Sequence, residues 1–150
     1  MQNVRIVEFP DCRMVSSRAG MFGDGALERF DEWFSALPRS IWPRDFLMWD
    51  AEKQGFRWLY LHEEGMDVPA DLRVIDFAGG LYAVTTDIDL QTDMDEMHAQ
   101  IDRFLDENGL ERDKARPDLG NVITSPRARD ILGYEQMDYY TPVKAKEGRK

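Results

Sequence analysis

The chain contains one cysteine and no long apolar run, and each scarcity excludes a class of protein. Cys12 has no second cysteine to pair with, so an internal disulfide is excluded. The opening residues MQNVRIVEFP show no charged leader followed by an apolar stretch. No window reaches the about 18 consecutive apolar residues that a membrane-spanning helix needs. We therefore expect a reducing, cytoplasmic setting and no membrane contact.

Basic residues are scarce relative to acidic ones. The chain has 19 Lys and Arg against 29 Asp and Glu, a formal net charge of −10. Binding to nucleic acid depends on neutralising phosphates with basic side chains, so we expect no direct nucleic-acid partner. The one basic cluster, 144-KAKEGRK-150, is predicted to be a disordered tail. Acidic self-repulsion further predicts a monomer or a weak homodimer.

Histidine is rarer still, and no cofactor motif is present. His62 precedes two glutamates and His98 lies on an acidic helix, so the sequence does not assemble a metal-ligand set. The glycines of Gly20-x-x-Gly23-x-Gly25 do not follow the order of the dinucleotide-binding motif. We predict neither a metal nor a cofactor.

The sequence does contain a duplication. The run RIVEF at 5–9 recurs as RVIDF at 73–77, an offset of 68 residues. The offset persists into two apolar-periodic segments that predict helices over 26–37 and 93–108, the second with Thr92 as N-cap and Gly109 after its end. Each copy of the repeat is therefore predicted to begin with a strand and continue into a helix.

Further strands and a short inserted helix complete each copy. Ser125 as N-cap, Pro126 and Gly133 bracket the inserted helix. In the last strand, an offset of 78 residues aligns Leu59 of the first copy with Met137 of the second. The predicted strands are 45–50, 56–62, 120–124 and 134–143.

Together these segments predict a fold class. It is α+β, a duplicated β-α-β-β repeat with a mostly antiparallel sheet and two main helices. One domain spans 1–150, with repeat one at about 3–63 and repeat two at about 71–143. A central cleft between the repeats is the expected ligand site.

Aromatic residues are abundant and supply the candidate ligand-binding groups. Ring faces attract cations by roughly 0.5–2 kcal/mol per contact, and Phe56, Trp58 and Tyr60 share one face of their strand. That face is alternatively plain core beneath the helices. Tyr139 and Tyr140 point to opposite faces, so at most one lines a given cavity. The candidates are Phe22, Trp42, Met48, Trp49, Trp58, Tyr60, Tyr82, Glu135, Tyr139 and Tyr140.

Glu135 is the candidate carboxylate that would bind a ligand's positive charge. Alternatively, Glu135 is a solvent-exposed residue of the last strand. Cys12, beside Arg13, is interpreted as a small buried residue and not as a nucleophile.

Four runs resemble the GyrI-like small-molecule-binding family, which includes the ligand domains of AraC-type and multidrug-sensing regulators and stand-alone members. They are 4-VRIVEFPDCRMV-15, 45-DFLMWDAEKQGFRWLYL-61, 79-GGLYAV-84 and 115-ARPDLGNVITSPRARDILGYEQMDYYTPVK-144, of which 133-GYEQMDYYTPVK-144 is the most specific. The resemblance implies a SOUL/GyrI-like fold whose cleft accepts hydrophobic, often cationic, organic molecules. Many drug-sensing members carry a glutamate where this chain has Gly120 and Asn121, so no glutamate is transferred to that position.

Three functions follow as hypotheses. The first is a stand-alone effector-binding or sequestering protein for hydrophobic, cationic small molecules, with a transcription regulator as a candidate partner. The second is an acidic interaction protein that inhibits a DNA enzyme such as a topoisomerase. The third is a small-molecule hydrolase on the same scaffold, in which Glu135 would act with a cleft tyrosine.

Overall fold

The computed structural model describes residues 3–38 and 45–147. Nine strands and three helices occur there, and the predicted α+β class with antiparallel strands and two main helices is confirmed. The strands are β1 (Arg5–Phe9), β2 (Cys12–Ser16), β3 (Asp45–Asp50), β4 (Gly55–Leu61), β5 (Arg73–Phe77), β6 (Gly80–Ile88), β7 (Leu110–Arg112), β8 (Leu119–Val122) and β9 (Gln136–Ala145). The helices are α1 (Ala26–Ser35), α2 (Met94–Asn108) and α3 (Pro126–Leu132).

The chain forms two compact units, which we name the continuous unit (Pro10–Gly79) and the discontinuous unit (Met1–Phe9 with Gly80–Lys150). In the continuous unit the strand order is β5-β2-β4-β3. In the discontinuous unit it is β1-β6-β9-β8, and β7 pairs with β9. Every one of these pairings is antiparallel. The two orders correspond strand for strand, so the duplication seen in the sequence is a duplication of topology.

The unit boundaries differ from the predicted repeat boundaries because each opening run is two strands. The run from Val4 to Val15 breaks between β1 and β2, where Pro10 has no N–H to continue a ladder. Asp11 Oδ1 then accepts a hydrogen bond from the backbone N–H of Gly79 at 2.8 Å. β1 pairs with β6, whereas β2 pairs with β5. Each copy of the repeat therefore gives its first strand to the other copy's sheet.

The predicted equivalence of the last strands is wrong by three residues. Ser16 lies opposite Leu59, and the equivalent Val84 lies opposite Tyr140. Leu59 thus corresponds to Tyr140, an offset of 81, and not to Met137. Matching Gly55 with Gly133 caused the error, because Gly55 begins β4 whereas Gly133 ends α3 with a φ of 81°.

Helix α1 begins in a turn held by carboxylates and packs on the continuous sheet. Glu28 accepts hydrogen bonds from the backbone N–H groups of Gly23 (3.0 Å) and Gly25 (2.9 Å). The second of these is the N-cap donor, which a helix start leaves unpaired. The helix buries Leu27 and Phe30 completely. The core beneath it also contains Val15, Tyr60 and Leu72.

Helix α2 packs on the discontinuous sheet through Met97, Ile101 and Leu105. Its N-cap is Asp93, which accepts from the Glu96 N–H at 3.1 Å, and not Thr92 as predicted. The Thr92 hydroxyl instead donates to the Ile88 carbonyl oxygen at 3.0 Å.

The predicted capping of α3 is confirmed, whereas the predicted disorder of the tail is wrong at its start. Ser125 accepts from the Ala128 N–H at 3.1 Å and Pro126 opens the helix. Lys144 and Ala145 belong to β9, where they pair with β7, a strand that the sequence did not predict. The Lys146 N–H continues this contact with a hydrogen bond to the Gly109 carbonyl oxygen at 3.0 Å.

None of the helices in the described ranges combines the length and apolarity that crossing a membrane requires.

Candidate functional site

The predicted ligand-binding residues fall into several separate groups. Trp42 lies outside the described residues. Phe22 and Trp49 lie on either side of Phe56, with ring centroids 6.3 and 4.9 Å from it. Phe22 is 61% exposed, so this group is an open aromatic patch. Met48 neighbours Trp49 on β3 and therefore points to the opposite sheet face.

Tyr82 and Tyr140 form a second group with Phe9 in the discontinuous unit. The Phe9 ring centroid lies 5.0 Å from that of Tyr82 and 5.6 Å from that of Tyr140. The Arg116 guanidinium carbon lies 4.8 Å from the Tyr82 ring centroid, and its Nη2 donates to the carbonyl oxygens of Leu81 and Val143. A cation of the protein itself thus occupies this ring face.

The Tyr140 hydroxyl is poorly suited to acid–base chemistry. Burial, followed by the nearby Asp138 carboxylate, raises the pKa of Tyr140 to about 12. Burial likewise raises the pKa of Tyr82. Both phenols are therefore neutral at physiological pH.

Tyr139 and Glu135 lie apart from this group. The Tyr139 hydroxyl is 3.1 Å from the Thr92 hydroxyl, and its ring packs against the α2 core on the other sheet face. Glu135 precedes β9 and does not lie within it, contrary to the prediction, and its carboxylate is 3.7 Å from Arg129.

Trp58 and Tyr60 form the third group, beneath α1. The Trp58 ring stacks on Phe30 with centroids 5.4 Å apart, and Phe34 lies 5.7 Å from Trp58 and 5.3 Å from Tyr60. Asp45 starts β3 directly opposite Tyr60. Its Oδ2 accepts a hydrogen bond from the Trp58 indole Nε1–H at 3.0 Å. We name Asp45, Phe34, Trp58 and Tyr60 the Asp45 cluster.

The carboxylate of the Asp45 cluster is held in a poorly solvated position. Burial is the main cause that raises the pKa of Asp45, the Trp58 indole partly opposes it, and the charge of Asp31 on α1 adds to it. Across residues 3–38 and 45–147, no Lys, Arg or His lies within ion-pair distance of Asp45. Among the described residues, this negative charge is therefore balanced only by the Trp58 indole N–H and by the backbone N–H of Asp45 itself.

This arrangement is chemically suited to an organic cation. A carboxylate that lacks both full hydration and a positive partner gains most from an incoming cation. Half-buried rings beside it supply apolar surface and negative ring faces. An acid with a raised pKa beside such rings is a candidate functional residue.

Asp45 was missed by the sequence analysis, although its position was accessible from the sequence. The predicted hairpin joined 45–50 to 56–62, and continuing that pairing places Asp45 opposite Tyr60, next to Trp58.

The remaining candidates for chemistry are the metal-ligating side chains and the Cys12 thiol. No group of three or more His, Cys, Asp or Glu there is placed to hold a metal ion. Burial, together with the charge of Asp11, raises the pKa of the Cys12 thiol, which disfavours the thiolate that a nucleophile needs.

The fold is α+β, with antiparallel strand pairing in both units. No protein-family model matches the chain, and no curated protein is similar to it in sequence. Solved structures do share the fold. A hydrolase from Listeria innocua superposes with a TM-score of 0.65 at 10% identity over 95% of this chain and 92% of that one.

Two further structures cover the chain to a similar extent. The EcmrR C-terminal domain superposes with a TM-score of 0.62 at 11% identity, over 95% of this chain and 97% of the domain. SAV2435 bound to tetraphenylphosphonium superposes with a TM-score of 0.51 at 11% identity, over 94% of this chain and 93% of that protein. At such identities the likeness shows the fold alone, and the α+β fold that the family resemblance implied is confirmed.

Proposed function

We propose that the protein is an effector-binding or sequestering domain that binds hydrophobic organic cations at the Asp45 cluster. The observation that carries the proposal is the Asp45 carboxylate, which lies against aromatic rings without a positive partner among the described residues. A bound cation restores the missing charge, and the rings of Trp58 and Phe34 cover its apolar groups. A cytoplasmic setting, expected from the lone cysteine, is part of the same proposal.

Two of the fold neighbours support this class of function. One is the C-terminal domain of EcmrR, a protein also solved in complex with DNA, and another was solved with a lipophilic cation. By analogy of fold, a DNA-binding regulator is a candidate partner, and this chain would supply the ligand-binding part.

The test uses tryptophan fluorescence, since Trp58 lies in the cluster. Tetraphenylphosphonium should quench the fluorescence saturably, and neutral triphenylphosphine oxide should bind at least tenfold more weakly because it gains nothing from the carboxylate. Asp45→Asn should remove this preference while leaving affinity for the neutral compound unchanged.

Asp118→Asn is the matched control. Asp118 precedes β8 at the position that corresponds to Asp45 by ladder register, and burial raises its pKa too, but Arg112 and His98 oppose that rise. This variant should keep the cation preference. An equal loss in both variants, or no saturable quenching of the wild type, would refute the proposal.

A hydrolase function is the second candidate, because a hydrolase shares the fold. It would need an ionisable pair, and the raised pKa values of Tyr140 and Cys12 disfavour both as nucleophiles. Turnover of an ester or epoxide panel that disappears in Glu135→Gln would support it over binding alone.

A further inference from the structure

The continuous unit carries a groove with basic walls, although the chain as a whole is acidic. Two cavities of about 410 and 440 Å³ share Arg18, Ala19 and Asp71 in their lining and so adjoin each other. We name their combined space the basic groove. Its cationic lining residues are Arg18, Arg29, Lys53, Arg57 and Arg73, against the acids Asp24 and Asp71.

Two of these cations form ion pairs. The hydrogen bond from Arg29 is the main cause that lowers the pKa of Asp71, and the charge of Arg18 helps to lower it from beyond ion-pair distance. Arg29 Nε lies 2.6 Å from Asp71 Oδ2, and Arg57 Nε lies 2.8 Å from Asp50 Oδ2. In the part of the chain that the structure describes, no carboxylate lies within ion-pair distance of the remaining cations, which are Arg18, Lys53 and Arg73.

Because the fold is duplicated, the residues of this groove can be compared with the equivalent residues of the discontinuous unit. By the 68-residue offset, Arg73 and Arg18 correspond to Arg5 and Thr86 of the discontinuous unit. Arg5 Nη2 there lies 3.1 Å from Thr86 Oγ1 and 3.5 Å from the buried carboxylate of Asp138. Its charge is therefore compensated within the protein.

The carboxylate of Asp138, which compensates Arg5, has no counterpart at the equivalent position of the continuous unit. The ladder register places Arg57 at the position of Asp138, since Leu59 corresponds to Tyr140. Where the discontinuous unit has an arginine, a hydroxyl and a carboxylate, the continuous unit therefore has Arg73, Arg18 and Arg57, of which Arg57 is already paired with Asp50. Like charges on neighbouring strands are destabilising, so this arrangement favours an added anion.

We propose that the basic groove binds the multivalent oxyanion of a small phosphorylated molecule. Guanidinium groups match phosphate oxygens with paired hydrogen bonds, and cavities of this size suit a small ligand. A long polyanion is disfavoured, because the net charge of −10 repels it beyond the groove. None of the residues that line the basic groove belongs to the Asp45 cluster, so the two sites are separate.

The test is calorimetric titration with inorganic pyrophosphate at about 20 mM salt, where charge screening is weak. The wild type should bind one pyrophosphate per chain, and the double variant Arg18→Gln/Arg73→Gln should bind at least about tenfold more weakly, because it loses two charge-assisted hydrogen-bond donors. The control Arg103→Gln/Arg127→Gln removes two exposed charges of the discontinuous unit and should retain wild-type affinity.

A second readout does not need the ligand. Without anion at low salt, the groove variant should melt at a higher temperature than the wild type, because it relieves repulsion, while the control variant should not. Asp45→Asn should retain pyrophosphate binding, which separates this inference from the proposed function.

Three results would overturn the proposal. The first is an absence of saturable pyrophosphate binding by the folded wild type. The second is equal weakening in the groove and control variants. The third is tighter binding of a single-stranded oligonucleotide of about twelve nucleotides, which would assign the groove to nucleic acid.

Discussion

At the scale of single residues, we propose that ligand recognition depends on the half-buried Asp45 carboxylate, which accepts a hydrogen bond from the Trp58 indole. Tyr82 also faces a positive charge, but that charge is the protein's own Arg116, fixed by two backbone carbonyl oxygens. One face of the Tyr82 ring is therefore already occupied, whereas the negative charge of Asp45 has no positive partner within ion-pair distance among the described residues. Sequence patterns located the aromatic residues of both groups and could not show which ring face was already occupied.

Asp45→Asn should stabilise the protein at neutral pH by on the order of 1 kcal/mol. Asparagine keeps an oxygen that accepts the Trp58 N–H, and it removes the cost of holding a charge in a poorly solvated place. Denaturant unfolding of both proteins measures the difference.

The pH dependence of that difference gives a second check. Because the folded-state pKa of Asp45 is raised, the folded wild type holds its proton to a higher pH than the unfolded chain does. Asp45 therefore contributes to the free energy of unfolding at low pH. This contribution is lost as the pH rises from the ordinary aspartate pKa through the raised pKa. The advantage of Asp45→Asn should therefore shrink on acidification. An advantage that grows on acidification would contradict the account.

The helices differ in how firmly they are attached to their sheets. Helix α2 buries Met97, Ile101 and Leu105, whereas α3 buries no residue and leaves Ile131 77% exposed. Capping and periodicity predicted both helices from the sequence, because these signals are local. The breaks between β1 and β2 and the strand β7 were not predicted, since they depend on pairing with distant strands.

Removal of the two N-caps should have different consequences. A cap substitution costs about 1 kcal/mol of helix stability. Asp93→Ala should lower the global unfolding midpoint, because α2 carries part of the core. Ser125→Ala should instead speed amide hydrogen exchange within α3 and leave the global midpoint nearly unchanged. Equal shifts of the midpoint in the two variants would show that α3 is part of the cooperative core.

The duplication determines the fold of each unit at the scale of the whole chain. The 68-residue offset was visible in RIVEF and RVIDF, and it predicted two related β-α-β-β copies. It could not predict that the copies exchange their first strands. A first strand that pairs within its own copy and one that pairs with the other copy show the same alternation of buried and exposed side chains. The offset of 81 residues between the last strands was also not predicted. It follows from the register of strand pairing, and the two strands do not have similar residues at that spacing.

The exchange of strands predicts how the discontinuous unit can be isolated. Phe9 lies opposite Gly80 at the end of the β1–β6 ladder, so a two-residue Asn-Gly turn should join residues 3–9 to residues 80–147 as a hairpin. This fusion should show a cooperative thermal transition by circular dichroism. The fragment 80–147 alone should be clearly less stable, because it lacks β1 and the Phe9 ring. Equal stability of the two fragments would contradict the assignment of β1 to this unit.

The most direct test of the central claim follows the Trp58 indole N–H by NMR during titration with tetraphenylphosphonium, with the resonance assigned through Trp58→Phe. We expect a saturable shift of this signal, because its hydrogen bond to Asp45 lies where we propose that the cation binds. The shift should vanish in Asp45→Asn and persist in Asp118→Asn. A Trp58 signal that stays fixed while another tryptophan responds would contradict the account and place the site elsewhere.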